Sequence, residues 1–231
     1  MPNIQLVFLF FPFVSVFLPV RISNDSDILN HEKTAYFEET AFYSQSWLTR
    51  WEAPIKVQCF GNYTLEDKIQ VISMIEDVRN DLGTIPIQLV NDGGNLFIHF
   101  EDDLSHFNNS EEFKNQQIPF GYMKPQLNRN HELLQADIYI HPALKGIKKH
   151  EVLRHEFCHS LGLMSHSSRA YYTENLLGKI IFSNSSAYDV YKSNQHIPIL
   201  DQEAIKMLYQ SQISLKTSKK EFDRMNRNNF L

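Results

Sequence analysis

Three histidines and a glutamate stand at a fixed spacing between residues 155 and 166 and could bind and use a metal ion. His155 and His159 are four residues apart, so on a helix they lie on one face with both imidazoles able to converge on one ion. Glu156 follows the first histidine, where its carboxylate could take a proton from metal-bound water. Gly162 and His166 complete the spacing H-E-x-x-H-x-x-G-x-x-H.

The same spacing predicts how a third histidine reaches the ion. Gly162 can adopt a positive φ, which would end the helix and turn the chain back, so that His166 returns as a third ligand. Three protein ligands leave a fourth position open for water, as in catalytic zinc sites, whereas four protein ligands close a structural site. We therefore expect one catalytic Zn²⁺ on His155, His159 and His166, with Glu156 as general base.

The motif is too specific to arise readily by chance. Five fixed positions give odds on the order of one in 10⁴ for an accidental match in a chain of this length. The flanking sequence also favours a helix, because neither Pro nor Gly occurs between Lys148 and Gly162.

At these residues the chain resembles the metzincin clan of zinc metallopeptidases, and in particular the matrixins. The resemblance rests on the five motif positions and, more loosely, on the order of elements from about Trp51 to Tyr209. The chain is also similar to a family of secreted metzincin-like domains that begin with an aromatic-rich segment such as residues 35–38. The resemblance implies an α/β (α+β) metzincin-like sandwich, with a mixed twisted sheet, an active-site helix and a C-terminal helix.

The chain departs from the metzincin pattern in the turn beneath the metal. Metzincins carry a methionine there, and in this chain Ala187 would occupy that position within residues 185–188. Met164 comes too early, and Met207 falls in the expected terminal helix. The resemblance implies that Tyr188, just after the turn, could help to stabilise the oxyanion. Three other tyrosines compete for that role: Tyr171, Tyr172 and Tyr191.

These residues predict a zinc-dependent endopeptidase that hydrolyses peptide bonds in proteins or peptides. The alternative is a metzincin-fold binding module that is stabilised by zinc and cleaves nothing. The missing methionine favours that module, while the retained Glu156 argues against it. A third reading, an exported interaction domain without metal, is disfavoured by the motif.

The N-terminus predicts export. Residues 4–20 are almost wholly apolar and are interrupted by Pro12 and Pro19, which fits the core of a secretory signal peptide that is either removed or kept as an anchor. The leading segment has no Lys or Arg, and Pro12 weakens the reading as a spanning helix. We expect a secreted or cell-envelope protein that meets a membrane only through such an anchor.

Length and charge bound the remaining organisation. The chain has 231 residues and a formal net charge of −5, so it fits one domain with extensions and has no electrostatic footprint for nucleic acid. We divide it into a signal peptide or anchor (1–20), a lead-in segment (21–50), a zinc metallopeptidase domain (51–210) and a polar basic tail (211–231). The aromatic part of the lead-in is expected to form a short helix against the domain; a zymogen pro-segment is the alternative. The tail is expected to be solvated.

Two cysteines and two further histidines leave alternatives open. Cys59 and Cys158 could form a disulfide in an oxidising compartment or remain as two buried free thiols. Cys158 as a fourth ligand would close the metal site and leave Glu156 without a purpose. His131 and His141 are expected to be solvated or hydrogen-bonded, with a second metal site as the alternative.

The pattern before the motif predicts strands at residues 54–60, 85–90, 95–100 and 136–141. Residues 101–130 are polar and are expected to form a loop. In a metzincin-like fold that loop would pass the upper rim of the cleft, where a substrate strand can add to a sheet edge.

Two more helices are expected outside the motif. Thr64 and Asp67 form a capping pair for a helix that Gly83 closes. Its core face is predicted from apolar residues at helical spacing: Ile69, Ile72, Ile75, Val78 and Leu82. A final helix is expected to begin at residues 198–201, with Asp201 as its cap.

Overall fold

The computed structural model describes residues 25–43, 46–101, 105–108, 120–168, 176–177, 196–209 and 213–229, which form a mixed α/β fold. The strands are β1 (Phe42–Tyr43), β2 (Trp47–Leu48), β3 (Arg50–Trp51), β4 (Ile55–Gly61), β5 (Ile87–Leu89), β6 (Leu96–Phe100), β7 (Gly121–Leu127) and β8 (Glu132–Ile140). The helices are α1 (Asp25–Ala41), α2 (Leu65–Val78), α3 (Ser105–Asn108), α4 (Gly146–Ser160), α5 (Ile199–Leu208) and α6 (Lys219–Asn229).

Six of the described strands form one twisted, mostly parallel sheet. Its order is β3-β8-β6-β4-β5, with parallel pairing throughout, and β7 adds antiparallel to β8. In β6 the residues Leu96, Ile98 and Phe100 alternate with more exposed neighbours, so one face of the sheet is apolar. Helices α2 and α4 pack there, and α4 also contacts β7. The expected α/β class is therefore confirmed.

Helix α2 begins as predicted but buries a partly different face. Thr64 and Asp67 form a capping box in which each side chain binds the backbone of the other. The prediction that Ile69 and Ile72 face the core is wrong, because they are 58% and 42% exposed. The buried face contains Val71, Met74, Ile75 and Val78, and these residues satisfy the helical spacing equally well because α2 is apolar on two sides.

Strand β7 lies in the segment that was expected to be a loop. This strand has no apolar alternation, because it contains polar residues and Pro125. Proline cannot donate to a neighbouring strand, but at a sheet edge no such hydrogen bond is needed on the outer side. A tight turn joins β7 to β8, in which Asn128 Oδ1 accepts from the amides of Asn130 (2.8 Å) and Glu132 (3.0 Å). His131 has a φ of 64° in that turn. The turn also starts β8 four residues before the predicted position.

The lead-in segment is an integral part of the core. Helix α1 packs against α5, and Tyr36, Phe37 and Phe42 are at most 1% exposed. The aromatic segment thus lies against the domain as expected, but it is not one short helix, because Phe42, Tyr43 and Trp47 lie in β1 and β2. The core, however, begins well before residue 51, where the sequence placed the start of the domain.

The prediction of a solvated tail after residue 210 is wrong. Phe222 of α6 is buried and packs its ring 5.1 Å from that of Phe37 and 5.6 Å from that of Phe42. Arg50 Nη1 donates to the carbonyls of Leu208 (2.7 Å) and Ile213 (2.8 Å). The high charge of this segment suggested a solvated tail, but a few apolar side chains such as Phe222 pack it against α1.

Of the two alternatives for Cys59 and Cys158, the structure has free thiols and no disulfide; Cys158 is buried, whereas Cys59 is only partly buried. The two side chains face different neighbours, because Cys59 of β4 is near Asp67 and Lys68 of α2, whereas Cys158 of α4 is near Asp201 of α5. Burial raises the pKa of both thiols, to about 11 for Cys59.

Within the described residues, no helix combines the length and the apolar character needed to cross a membrane. The predicted signal peptide or anchor, residues 1–20, lies outside the described part of the chain.

Candidate metal centre

Helix α4 carries the first two histidines and ends where the motif predicts. Leu153 and Phe157 are fully buried and fix one face of the helix. His155 and His159 lie one turn apart on a neighbouring face, with ring centroids 4.7 Å apart.

Gly162 ends α4 in a left-handed conformation. The amide of Gly162 donates to His159 O (2.9 Å) and that of Leu163 to Cys158 O (3.3 Å), which is the Schellman pattern of helix termination. Gly162 has a φ of +110°, and a Cβ there would lie 2.2 Å from Thr49 O. Both the conformation and the close approach therefore require glycine.

The turn brings His166 back to α4, and the end of α1 holds it there. The amide of Ser165 donates to Thr40 O (2.9 Å), and its hydroxyl donates to Phe42 O (2.8 Å). On the other side of His166, the hydroxyl of Ser167 donates to Glu39. Segment 163–167 is thus fixed on both sides of the histidine.

The three histidines present their Nε2 atoms to one point. The Nε2–Nε2 distances are 3.1 Å for His155 and His159, 3.1 Å for His155 and His166, and 3.3 Å for His159 and His166. Three nitrogens on a tetrahedral zinc ion with bonds of about 2.0–2.1 Å lie about 3.3–3.4 Å apart. Among the described residues, this is the only group of histidine, cysteine and acidic side chains that could hold a metal ion.

The hydrogen bonds on the far side of two rings set their tautomers. His155 Nδ1 is 2.9 Å from Leu176 O, and His159 Nδ1 contacts Leu163 O. A carbonyl only accepts, so each Nδ1 carries the proton and each Nε2 presents a bare lone pair. Lone pairs that converge with no proton between them repel each other, and a bound cation would turn that repulsion into coordination. The residues therefore fit a metal ion.

Burial keeps these imidazoles neutral. It lowers the pKa of His155 to about 4, with a further contribution from His166. Burial is also the main reason why the pKa of His159 is lowered, and the neighbouring His155 and His166 lower it further. Burial lowers the pKa of His166 as well. Neutral imidazole is the form that binds a metal, so the site is prepared for an ion at neutral pH.

Glu156 lies beside the three histidines and is covered by the start of β7. Its residue is 7% exposed, and burial raises the pKa of its carboxyl group to about 8. A Cβ on Gly121 at the start of β7 would lie 2.5 Å from Val152 Cγ1 and 3.2 Å from Glu156 Cγ. Glycine therefore allows the edge strand to cover a carboxylate that can exchange a proton near neutral pH.

Asp201 does not cap α5, contrary to the prediction. The N-cap residue is Pro198, and Asp201 lies inside the first turn, fully buried. Its Oδ1 accepts from the hydroxyl of Tyr36 (2.6 Å), and its Oδ2 accepts from the amide of Leu176 (2.6 Å). Asp201 therefore supports the segment that contacts His155, a connection for which the sequence carries no local signal.

The two further histidines named from the sequence, His131 and His141, contact other groups. His131 stacks on Trp47 with centroids 5.5 Å apart, and His141 Nδ1 accepts from the amide of Ala143 (3.1 Å). His141 thus has the hydrogen-bonded role that was expected of both residues, whereas His131 is partly buried against Trp47. Ala187 and Tyr188 lie outside the described residues, as do the competing tyrosines Tyr171, Tyr172 and Tyr191.

Neither the models of known protein families nor the curated proteins give a match to the chain. The converging histidines and Glu156 are therefore the strongest indication of function.

Proposed function

We propose that the protein is a zinc-dependent endopeptidase with a metzincin-like fold. The observation that carries this proposal is the triangle of Nε2 atoms from His155, His159 and His166, with sides of 3.1–3.3 Å. In the described residues the triangle has three protein nitrogens, which leaves room for water in a tetrahedral site. The fold is compatible with the proposal, since α4 bears the site and a helix expected from residues 198–201, α5, packs against α1 and α2.

The chain's own residues supply orientation and proton transfer. When bound, zinc would polarise the scissile carbonyl and acidify a coordinated water. The Nδ1 bonds of His155 and His159 fix both rings, so their Nε2 lone pairs need no reorientation. The Glu156 carboxylate takes a proton from the attacking water and passes it to the leaving amine.

The edge strand β7 supports a peptide as substrate. In the described part of the sheet, β7 pairs only with β8, and its first residue, Gly121, lies against Glu156. An extended peptide that added to the outer edge of β7 would run past the catalytic carboxylate, held by main-chain hydrogen bonds. Proteins or peptides are therefore the proposed substrates, and nucleic acid is not.

Export is part of the proposal and rests on the sequence. The apolar run of residues 4–20 would direct the chain out of the cytosol as a signal peptide, or tether it as an N-terminal anchor. We place the protein in the secreted or cell-envelope compartment, with membrane contact only through that anchor.

A zinc-stabilised binding module without peptidase activity is the second candidate. It is favoured by the absence of methionine from residues 185–188, where the metzincin resemblance places one. In such a module Glu156 would have no chemical task. Because burial of an ionisable carboxyl group is unfavourable, its presence argues against the binding module.

A comparison of glutamate variants separates the two candidates. Glu156→Gln removes the general base, so it should retain zinc and lose about 10²–10⁴-fold in peptide hydrolysis. Glu151→Gln is the matched control on the same helix and should hydrolyse peptides like the wild type. A wild-type protein that binds zinc but cleaves no member of a peptide library would favour the binding module.

A further inference from the structure

Residues from α1 and α5 reach the first metal ligand through two residues of an intervening segment. Leu176 O accepts from His155 Nδ1 (2.9 Å), while the amide of Leu176 donates to Asp201 Oδ2 (2.6 Å). Asp201 Oδ1 in turn accepts from the hydroxyl of Tyr36 (2.6 Å). Tyr36 is 165 residues away from Asp201 in the sequence, so the link forms only in the folded chain.

The peptide unit between Leu176 and Leu177 connects the two sides of this link. The N–H of Leu177 points towards the Asp201 carboxylate and the Tyr36 hydroxyl and favours the charged form of each, and the carbonyl of the same peptide unit is Leu176 O. In a planar trans peptide the N–H and C=O point in opposite directions. Holding the Leu177 amide therefore aims Leu176 O at His155.

The same segment also reaches the third ligand. Leu177 O accepts from the amide of Ser167 (2.7 Å), the residue after His166. Leu176 and Leu177 are almost fully buried, at 3% and 0% exposure. A short buried segment thus contacts two of the three ligand positions and is itself held by Asp201.

Burial of the Asp201 carboxylate carries a desolvation cost that packing alone would not justify. It is fully buried, and burial raises the pKa of its carboxyl group to about 7 against the donors that surround it. An apolar side chain of similar volume would fill such a position at no desolvation cost. The carboxylate instead binds donors from two separate elements, which gives it a directional role.

We infer that Asp201 and Tyr36 are positioning residues that orient His155 for metal binding through the Leu176–Leu177 peptide. The inference rests on the proposed function, since it assigns a role at the same metal centre. It makes α1 a part of the site's support, so removal of α1 would loosen the metal ligands rather than open the cleft.

His159 provides an internal reference for a test. Its Nδ1 contacts Leu163 O in the turn after α4, and that bond does not involve Leu176 or Asp201. Loss of the Asp201 link should therefore free the ring of His155 while leaving that of His159 fixed.

The test compares Asp201→Asn and Tyr36→Phe with Asp77→Asn in the full chain. Asp77 is the matched control, because its Oδ2 accepts from the amide of Ile197 (2.8 Å) just before α5. Proton exchange at Nδ1 of His155 and His159 is followed by NMR on the metal-free, ¹⁵N-histidine-labelled protein. Zinc affinity is measured separately by competition with a chelator.

Both variants should accelerate exchange at His155 by about tenfold or more and leave His159 within about twofold of the wild type. Asp201→Asn should weaken zinc binding by about 10–100-fold, as for other outer-shell partners, and Asp77→Asn should change neither quantity. Equal acceleration at both histidines, or none, would overturn the inference.

Two further outcomes remain decisive. If Asp201→Asn does not fold, Tyr36→Phe, which keeps the carboxylate and the aromatic ring, decides the inference by the same exchange measurement. If the wild type binds no zinc, the proposed function fails, while the metal-free exchange data still decide whether Asp201 and Tyr36 orient His155.

Discussion

Gly162 passes so close to Thr49 that a Cβ on the glycine would lie 2.2 Å from the Thr49 carbonyl oxygen. This contact packs the turn after α4 against the segment that leads into β3. The turn carries the chain from the second histidine to the third, so the spacing of the metal ligands depends on a residue without a side chain.

Substitution of this glycine should disturb both stability and metal binding. Gly162→Ala would combine an unfavourable φ of +110° with the clash against Thr49 O, for a loss of about 2–4 kcal/mol in the free energy of unfolding. Gly93→Ala is the control, because Gly93 also has a positive φ (+69°) but no atom within 4 Å of a Cβ. Urea unfolding should show a clearly larger loss for Gly162→Ala; equal losses would argue against the close contact.

The metal-free protein should show a pH dependence that originates in Glu156. Its folded-state pKa is raised to about 8 from an ordinary 4.5, so between these values the folded state holds a proton that the unfolded state has released. The contribution to stability is full below about pH 4.5 and is lost as the pH rises through about 8. Relative to Glu156→Gln, the wild type should lose roughly 3–5 kcal/mol over that range.

Unfolding of both proteins at several pH values measures this difference. Zinc should flatten it, because a nearby cation favours the charged carboxylate. A difference that does not vary with pH in the metal-free proteins would show that Glu156 ionises normally.

The C-terminal helix α6 should be required for stability. Phe222 is 3% exposed and packs on Phe37 and Phe42, so Phe222→Ala should cost about 3–5 kcal/mol. Met225 of the same helix is 41% exposed, and Met225→Ala should change the free energy of unfolding by less than about 1 kcal/mol. Similar small effects for both variants in a denaturant titration would restore the interpretation of residues 211–231 as a solvated tail.

Short-range patterns in the sequence predicted the features that depend on them. The capping box of Thr64 and Asp67 and the turn at Gly162 involve residues a few positions apart, and both are confirmed. The face of α2 was misassigned at Ile69 and Ile72, because apolar residues on two sides of a helix leave the choice of buried side to tertiary packing.

Long-range contacts could not be predicted in this way. The bond between Tyr36 and Asp201 spans 165 residues, and no spacing rule connects a tyrosine of the first helix to an aspartate of α5. Strand β7 was missed for a related reason, since its pairing with β8 supplies the order that its polar sequence and Pro125 do not signal.

The most direct test of a catalytic zinc centre is the coordination of the bound metal. Zinc X-ray absorption on the purified protein should show about one ion per chain, with three imidazole nitrogens and one oxygen at about 2.0–2.1 Å. His159→Ala, which removes one corner of the Nε2 triangle, should lose the ion. Failure of the wild type to bind zinc, or a sulfur scatterer at about 2.3 Å that indicates a cysteine ligand, would contradict the assignment of an open, three-histidine site.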